Sequence, residues 1–151
     1  MYLADRVTKL WAEARLVEGP IELIPRLLTL RFATNPGGAF SILSSAPWFF
    51  AAATLTVSLL IVVTAFHRRS ALQSVALGLI LGGALGNLTD RAVRGPGLSG
   101  EVVDFLDVHI WPVFNLADSG IVIGAILLAW SSFRDAREHE PTAAGDGDVA
   151  R

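Results

Sequence analysis

Five carboxylates lie against or within apolar segments between residues 87 and 128. They are Asp90, Glu101, Asp104, Asp107 and Asp118. A carboxylate that leaves water is costly unless it gains a hydrogen-bond donor, a cation or a proton. Groups held under such conditions are candidates for acid–base chemistry.

Asp118 lies within the apolar run 110–130, and Asn115 precedes it by three residues, on the same face of a helix. An ionisable group inside a membrane span usually faces a cavity or a partner and is a functional candidate. The alternative is a carboxyl near the membrane surface that water satisfies. The sequence favours the functional interpretation.

Asp104 is flanked by Val103 and Phe105, an apolar setting that should raise its pKa. The alternative is a helix cap or a solvated loop carboxylate. If Asp104 and Asp118 converge, they can share one proton, because like charges a few ångströms apart cannot both ionise. The ionised partner can then deprotonate water while the protonated one donates to a carbonyl oxygen. Such a pair predicts peptide hydrolysis without a covalent intermediate, a metal or another cofactor.

The remaining carboxylates suit supporting roles. Arg91 follows Asp90 directly and Asn87 lies one helical turn earlier, so we expect Asp90 to stay ionised and to hold the following loop in place. Asp107 and Glu101 are expected to be solvated loop charges.

Other chemistries have weaker support. The zinc-protease pattern HExxH is absent, and Asp104, Asp107 and His109 are too loosely spaced to predict a metal site. Ser119 lacks a convincing histidine base, and no phosphate loop of the Walker type occurs. The chain contains no cysteine, which excludes thiolate catalysis. Its net charge of −2, with no basic run longer than two arginines, argues against a nucleic-acid partner.

The elements that must position these residues are apolar. The 151 residues are 52% hydrophobic and 17% charged, whereas about a quarter of a soluble domain is charged. Three apolar runs, 49–66, 71–88 and 110–130, approach the roughly 20 residues of a spanning helix. We therefore expect a mainly α-helical, polytopic membrane protein with an antiparallel helix bundle. Residues 1–133 would form one membrane-embedded domain, and 134–151 a polar, disordered cytoplasmic tail.

Glycines recur every four residues on two of these runs. They are Gly78, Gly82 and Gly86 on the second run and Gly120 and Gly124 on the third. Small residues at this spacing let helix backbones approach closely in lipid, so the two spans are predicted to pack on each other. The alternative is that these glycines are tolerated filler.

The region before the first run has a different pattern. Residues 4–16 are typical of a short amphipathic helix, and residues 27–34 alternate like a half-buried strand, with a turn at 35–38. Three spans would place this region and the 89–109 loop on the same side of the membrane. Arginines at the membrane ends are divided almost equally, so the positive-inside rule only slightly favours residues 67–69 in the cytoplasm.

Five motifs resemble, in the same order, those of signal peptidase II, the bacterial lipoprotein signal peptidase family. They are "ADRVTK" (4–9), "NPGGAF" (35–40), "GGALGNLTDR" (82–91), "VVDF" (102–105) and "FNLADSGI" (114–121). The first is usually closer to "LDQxTK", and "NPGG" replaces the more usual "NxGA". The resemblance extends from about residue 4 to residue 130.

The resemblance implies an intramembrane aspartic endopeptidase of the bacterial inner membrane, with its active site at the extracytoplasmic face and no metal. It would remove the signal peptide of a prolipoprotein just before a cysteine that carries diacylglycerol. The family's catalytic aspartates match Asp104 and Asp118. Its supporting polar residues match Asn35, Asn87, Asp90, Arg91 and Asn115, and further family positions match Asp5 and Lys9.

The implied partners are the diacylated precursor and membrane phospholipids, with no obligate protein partner. The family's architecture places a small β-cradle at the outer membrane surface beside four transmembrane helices, and residues 27–40 would supply part of that cradle. A span precedes the first motif in the family, and residues 1–4 are too short for it, so most of that span is expected to be missing. One alternative is therefore a truncated, inactive homologue that only binds lipoprotein precursors. Another is a small proton-coupled carrier that uses Asp118.

Overall fold

The computed structural model describes residues 1–37, 47–64 and 70–138. Its helices are α1 (Tyr2–Arg15), α2 (Pro47–Thr64), α3 (Ala71–Arg94) and α4 (Leu116–Glu138). Strands β1 (Ile21–Ile24), β2 (Leu28–Asn35) and β3 (Val102–Asp107) form one antiparallel sheet in the order β1-β2-β3. The prediction of a mainly helical chain with a small sheet is confirmed.

Two helices in the described parts of the chain are long and apolar enough to cross a membrane. They are α3 and the Leu116–Arg134 part of α4, while α2 offers a shorter apolar stretch over Ala51–Thr64. Only 28% of the apolar window of α3 and 22% of that of α4 are buried. A core helix of a soluble protein would be mostly buried, so this exposure favours contact with lipid.

Helix α1 is amphipathic, as predicted for residues 4–16, but its polar face is turned inward. Asp5 and Lys9 are completely buried, whereas Leu3 and Val7 are 75% and 65% exposed. In water this arrangement would expose apolar side chains and bury charges. An apolar outer face is favourable where the helix contacts lipid.

Helices α3 and α4 pack together through small residues. A Cβ atom at Gly83 would meet the Ala117 carbonyl oxygen and would lie 2.9 Å from the Ile121 side chain. A Cβ atom at Gly124 would lie 2.6 Å from the carbonyl oxygen of Ala76. Glycine therefore permits close contact between the two backbones, as expected for helices in lipid.

The glycine pattern predicted from the sequence is only partly right. Gly82, Gly86 and Gly120 lie against residues at the start of α1 instead of between α3 and α4. A Cβ atom at Gly78 would have no neighbour within 4 Å. Three of the five glycines thus make room for α1, whose docking site was not evident from the helical spacing.

The sheet docks on the end of α1. Leu30 and Phe32, predicted to share one face of a strand, pack on a cluster that contains Ala12, Leu16 and Phe105. Strand β1, which was not predicted, pairs with β2 through a tight turn. Arg26 adopts a φ of 62° in that turn. The sheet therefore joins α1 to β3, the strand that carries Asp104.

The prediction of a single loop over residues 89–109 is wrong. Helix α3 continues to Arg94, and β3 occupies Val102–Asp107, because β3 finds its hydrogen-bond partners in the distant strand β2. Asp107 is consequently not a solvated loop charge. Its side chain is 10% exposed and accepts a hydrogen bond from Arg31 Nε at 2.5 Å. Glu101 is exposed, as expected.

The third apolar run begins its helix later than predicted. Residues 110–115 are not helical, since Phe114 pairs with Leu106 in an isolated β-bridge and Asn115 caps α4. At the other end, α4 includes residues 134–138, which were assigned to the tail. The rest of the predicted disordered tail, 139–151, lies outside the described residues. Residues 65 and 66 of the first apolar run also lie outside them.

Candidate active site

A cleft of about 350 Å³ lies where β2 and β3 meet the end of α3 and the start of α4. Its polar lining comprises Asn35, Asn87, Arg91, Asp104 and Asp118. The rest of the lining is mostly apolar and comprises Thr54, Val102, Trp111, Pro112, Val113, Phe114, Ile121 and Val122. Both aspartates of the predicted pair therefore face one apolar cleft with a polar end.

Asp104 is 2% exposed at the middle of β3. Asn35 Nδ2 donates to its Oδ2 at 3.1 Å, and Asn115 Nδ2 donates to its Oδ1 at 2.6 Å. Burial, followed by the nearby Asp118 carboxylate, raises the pKa of Asp104 to about 7, against the opposing effect of the two amides. The Asp104 carboxyl can therefore carry a proton near neutral pH.

Asp118 lies in the first turn of α4, where its backbone and side chain form a capping box with Asn115. The Asp118 N–H donates to Asn115 Oδ1 at 2.9 Å, and the Asn115 N–H donates to Asp118 Oδ2 at 3.2 Å. Asn87 Nδ2 donates to Asp118 Oδ1 at 2.8 Å. Two N–H donors and the positive end of the helix dipole stabilise the charged carboxylate, while burial opposes it.

The two aspartates are joined through side-chain amides. Asn115 Nδ2 donates to Asp104 and also to Asn87 Oδ1, at 3.2 Å, and Asn87 in turn donates to Asp118. The geometry of each carboxylate is thus coupled to that of the other. Such a network holds reacting groups in place before a substrate binds.

The chain contains three asparagines, and all three belong to this network. Each side-chain carbonyl accepts an N–H donor: the Gly37 N–H for Asn35, the Asp118 N–H for Asn115, and Lys9 Nζ for Asn87. A carbonyl held in this way directs the opposite NH₂ group toward an aspartate. The orientation of each amide is therefore determined by its environment.

Asp90 lies behind the cleft and is completely buried. Its carboxylate pairs with Lys9 Nζ at 2.8 Å and with Arg6, both from α1, and accepts the Val103 N–H at 3.3 Å. The expectation that Asp90 holds the adjoining segment is thus supported by its bond to β3. Arg94 within α3 adds a further cation, whose Nε lies 3.5 Å away, and Arg91 also interacts electrostatically with Asp90, as the sequence suggested.

Arg91 also binds backbone carbonyl groups beside the cleft. Its Nη1 donates to the carbonyl oxygens of Pro36 and Gly100, at 3.3 and 3.2 Å. These residues flank β2 and β3 at the end that holds Asn35 and Asp104. Arg91 therefore closes the wall of the cleft by binding backbone groups from two segments.

Sequence reasoning gave little weight to the charged face of α1. Asp5 and Lys9 are completely buried and form an ion pair at 3.0 Å, and Asp5 Oδ1 accepts the Ala117 N–H at 2.9 Å. Arg6 also belongs to this face. The i,i+4 spacing of Asp5 and Lys9 was an available signal, but only tertiary packing identifies their partners.

Residues 1–37, 47–64 and 70–138 contain no evident cluster of metal ligands. No group of three or more His, Asp or Glu side chains there is arranged to hold an ion. His109, considered as a ligand from the sequence, instead contacts Thr29 Oγ1 at 3.0 Å and lies 3.7 Å from Asp107.

Comparison with known proteins agrees with the motifs. The family model described as Signal peptidase (SPase) II matches residues 1–134. A lipoprotein signal peptidase of Rhodococcus jostii (strain RHA1) is 48% identical over 126 residues, covering 82% of this chain and 64% of the relative. One from Ectopseudomonas mendocina (strain ymp) is 44% identical over 153 residues, covering 93% and 88%. The chain thus spans just under two thirds of the first relative and most of the second.

Two solved structures share the fold. Each is described as a bacterial membrane enzyme determined by the in meso method, one at 2.3 Å and the other at 1.9 Å resolution. The first superposes with a TM-score of 0.79 at 31% identity, covering 95% of this chain and 89% of that one. The second gives 0.75 at 33% identity, covering 89% and 88%. By its sequence motifs, its matched length and its fold, this chain belongs to the signal peptidase II family.

Proposed function

We propose that this chain is an intramembrane aspartic endopeptidase that removes signal peptides from diacylglyceryl-modified bacterial prolipoproteins. The observation that carries the proposal is the placement of two carboxyl groups, the buried Asp104 and the partly buried Asp118, in one cleft and within one network of amides. The family's lipoprotein signal peptidases supply the class of substrate.

In the proposed reaction, Asp118 accepts a proton from a water molecule that attacks the scissile carbonyl carbon. Asp104, which can carry a proton near neutral pH, donates its proton to the carbonyl oxygen. Asp118 suits the role of base because N–H donors favour its charged form, and Asp104 suits the role of acid because its pKa is raised to about 7. Asp118 then gives its proton to the leaving nitrogen while Asp104 takes a proton back from one hydroxyl of the resulting diol. The C–N bond breaks, the new carboxyl and amine form, and both aspartates return to their starting states.

The supporting residues have distinct proposed roles. Asn35 and Asn115 orient Asp104, and Asn87 orients Asp118. Arg91 fixes the backbone around the cleft, and Asp90 fixes β3 against α1 and α3. None of these roles requires the residue to leave its position during turnover.

The location of the cleft suits a substrate that is anchored in the membrane. It lies at one end of both candidate spans, near Arg94 and Leu116, and its mostly apolar lining suits a lipid-anchored precursor. We propose a multi-pass arrangement in the bacterial inner membrane, with the cleft at the extracytoplasmic face. The scissile bond between a signal helix and a lipidated cysteine would lie at this depth.

The reaction is tested with purified protein in lipid vesicles and a diacylglyceryl-modified precursor peptide. We expect Asp104→Asn and Asp118→Asn each to lower kcat by at least about 1,000-fold, since each removes a proton-transfer group. Asp107→Asn is the matched control and should retain activity, because Asp107 pairs with Arg31 outside the cleft. Cleavage by either of the first two variants at the wild-type rate would contradict the assignment.

The wild-type protein also distinguishes an enzyme from a binding protein. Capture of the precursor without any cleavage would support instead a homologue that only binds lipoprotein precursors. A precursor peptide without diacylglycerol serves as the substrate control. Equal cleavage of both peptides would contradict the proposed lipid requirement.

A further inference from the structure

We propose that Lys9 is a positioning residue that orients the Asn87 amide, and through it Asp118, for the reaction. This inference rests on the proposed function and deepens it, because it adds a residue from α1 to the machinery formed by β3, α3 and α4.

The Lys9 ammonium group has three oxygen atoms within 3.0 Å, two from carboxylates and one from an amide. Its Nζ lies 2.8 Å from Asp90 Oδ2, 3.0 Å from Asp5 Oδ2 and 2.8 Å from Asn87 Oδ1. The side chain is completely buried, so water does not compete for these bonds. Two carboxylates offset the charge of the ammonium group, and its hydrogen bond to Asn87 sets the geometry of a neutral amide.

The bond to Asn87 decides which end of that amide faces Asp118. With Oδ1 held by Lys9, the NH₂ group points to Asp118 Oδ1 at 2.8 Å and stabilises the charged carboxylate. A flipped amide would turn its carbonyl toward Asp118 and would favour the protonated form. The proposed base would then be unable to accept a proton from water.

Lys9 differs from the groups that hold the other two amides. The carbonyls of Asn35 and Asn115 accept the backbone N–H groups of Gly37 and Asp118, which a substitution does not remove. The carbonyl of Asn87 accepts one side-chain donor from α1 and a longer bond of 3.2 Å from Asn115. Of the three donors to these carbonyls, the Gly37 N–H, the Asp118 N–H and Lys9 Nζ, only Lys9 Nζ can be removed by a side-chain substitution.

Arg6 provides a matched control. It also lies on α1 and also pairs with the buried carboxylate of Asp90, but among the described residues it pairs with Asp90 and not with Asn87. If these cations only attach α1 to α3, their removal should have similar effects. If Lys9 positions Asn87, only its removal should impair turnover beyond the loss of stability.

The first experiment compares Lys9→Met with Arg6→Met in lipid vesicles, using the diacylglyceryl-modified precursor peptide and counting only folded protein. We expect Lys9→Met to lower kcat by about 100-fold with KM changed by less than about threefold, since small misplacements of reacting groups cost about this much. Arg6→Met should lower kcat by less than about fivefold. Equal losses of kcat in the two variants would overturn the proposal.

A double variant separates charge balance from positioning. Lys9→Met alone leaves an uncompensated carboxylate, whereas Asp5→Asn with Lys9→Met removes one charge of each sign and keeps an oxygen acceptor for the Ala117 N–H. We expect the double variant to fold and to retain the low kcat. Recovery of wild-type kcat would overturn the proposal, and so would a failure of both Lys9 variants to fold, which would assign Lys9 a structural role.

A second experiment does not depend on activity. Because the chain has three asparagines, selective ¹⁵N-asparagine labelling gives three side-chain NH₂ signals. We expect the Asn87 signal, assigned with Asn87→Gln, to shift and exchange faster in Lys9→Met, while the Asn35 signal and the Arg6→Met spectrum stay unchanged. An unchanged Asn87 signal in Lys9→Met would overturn the positioning role. A wild-type protein that fails to cleave the precursor would instead overturn the proposed function, and the spectra would still decide the role of Lys9.

Discussion

At the scale of the residue, the environment distinguishes two chemically identical side chains. Asp104 lies in a strand, is nearly fully buried and faces another carboxylate, so that burial raises its pKa to about 7. Asp118 lies at a helix N-terminus and accepts two N–H donors. These different partners are the basis of the proposal that Asp104 donates a proton and Asp118 accepts one.

The first prediction concerns pH and stability. A carboxyl whose pKa rises on folding, from 3.8 to about 7, adds stability that is complete below pH ~4 and is lost as pH rises through about 7. The loss is on the order of 4 kcal/mol, since each pKa unit corresponds to about 1.36 kcal/mol. We expect the Tm to fall between pH ~4 and ~7 in the wild type and to fall less in Asp104→Asn, measured by thermal unfolding. Identical pH slopes would show that native Asp104 does not hold the proton.

At the scale of the element, charged and small residues decide how helices that are mostly apolar fit together. Asp90 on α3 forms ion pairs with two cations from α1 and accepts a hydrogen bond from a backbone N–H of β3. Gly83 lets α4 approach the backbone of α3. Hydrophobic burial is not a strong driving force between helices in lipid, so these contacts have a large share in specifying the packing.

The second prediction concerns Asp90. Asp90→Asn should lower stability by about 3–5 kcal/mol and reduce the yield of folded membrane protein, because buried Lys9 and Arg6 lose their shared anion. Asp107→Asn removes a pair whose arginine is 47% exposed, and should cost less than about 1 kcal/mol. Denaturation of both variants in the same detergent measures the difference. A normal yield with full activity for Asp90→Asn would contradict its supporting role.

The third prediction concerns the contact between α3 and α4. Gly83→Val should destabilise the fold by about 1–3 kcal/mol or more, because its added carbons would overlap the Ala117 carbonyl and the Ile121 side chain. Gly78→Ala is the matched control on the same helix, and we expect it to be neutral or slightly stabilising, since nothing lies within 4 Å of the added carbon. The Tm values of the two variants provide the comparison, and an equal Tm would argue against close packing at Gly83.

At the scale of the whole molecule, the distribution of apolar surface is inverted relative to a soluble protein. Asp5 and Lys9 of α1 face inward, and large apolar side chains cover the outside of α1, α2 and α4. The cleft lies where the sheet meets the ends of α3 and α4. This arrangement suits a protein surrounded by lipid, with its site near the membrane surface.

The fourth prediction tests that placement. The chain has no cysteine, so a single introduced thiol reports its own location without background. If α3 spans the membrane with the cleft outside, an impermeant maleimide should label Ser99→Cys in unlysed cells from which the cell wall and any outer membrane have been removed. Ala71→Cys, at the opposite end of α3, should be labelled only after lysis. The reverse pattern would contradict the proposed orientation, and labelling of both thiols in intact cells would contradict a spanning α3.

The amino-acid sequence by itself determined the apolar helices, the strand β2 and the polar residues of the cleft. Hydrophobic runs and alternation are local properties, and the motifs around Asp104 and Asp118 are contiguous, so each can be recognised without knowledge of the fold. The boundaries were less accurate, because 110–115 is as apolar as the helix that follows it.

Only the tertiary structure decided the partners of these residues. Asp104 lies in a strand because β3 pairs with β2, about 70 residues away, and the ions around Asp90 come from α1, more than 80 residues away. Lys9 reaches Asn87 across 78 positions of the chain. Hydrogen bonds and ion pairs depend on distances of about 3 Å in space, and local sequence patterns do not encode which distant atoms will meet at that distance.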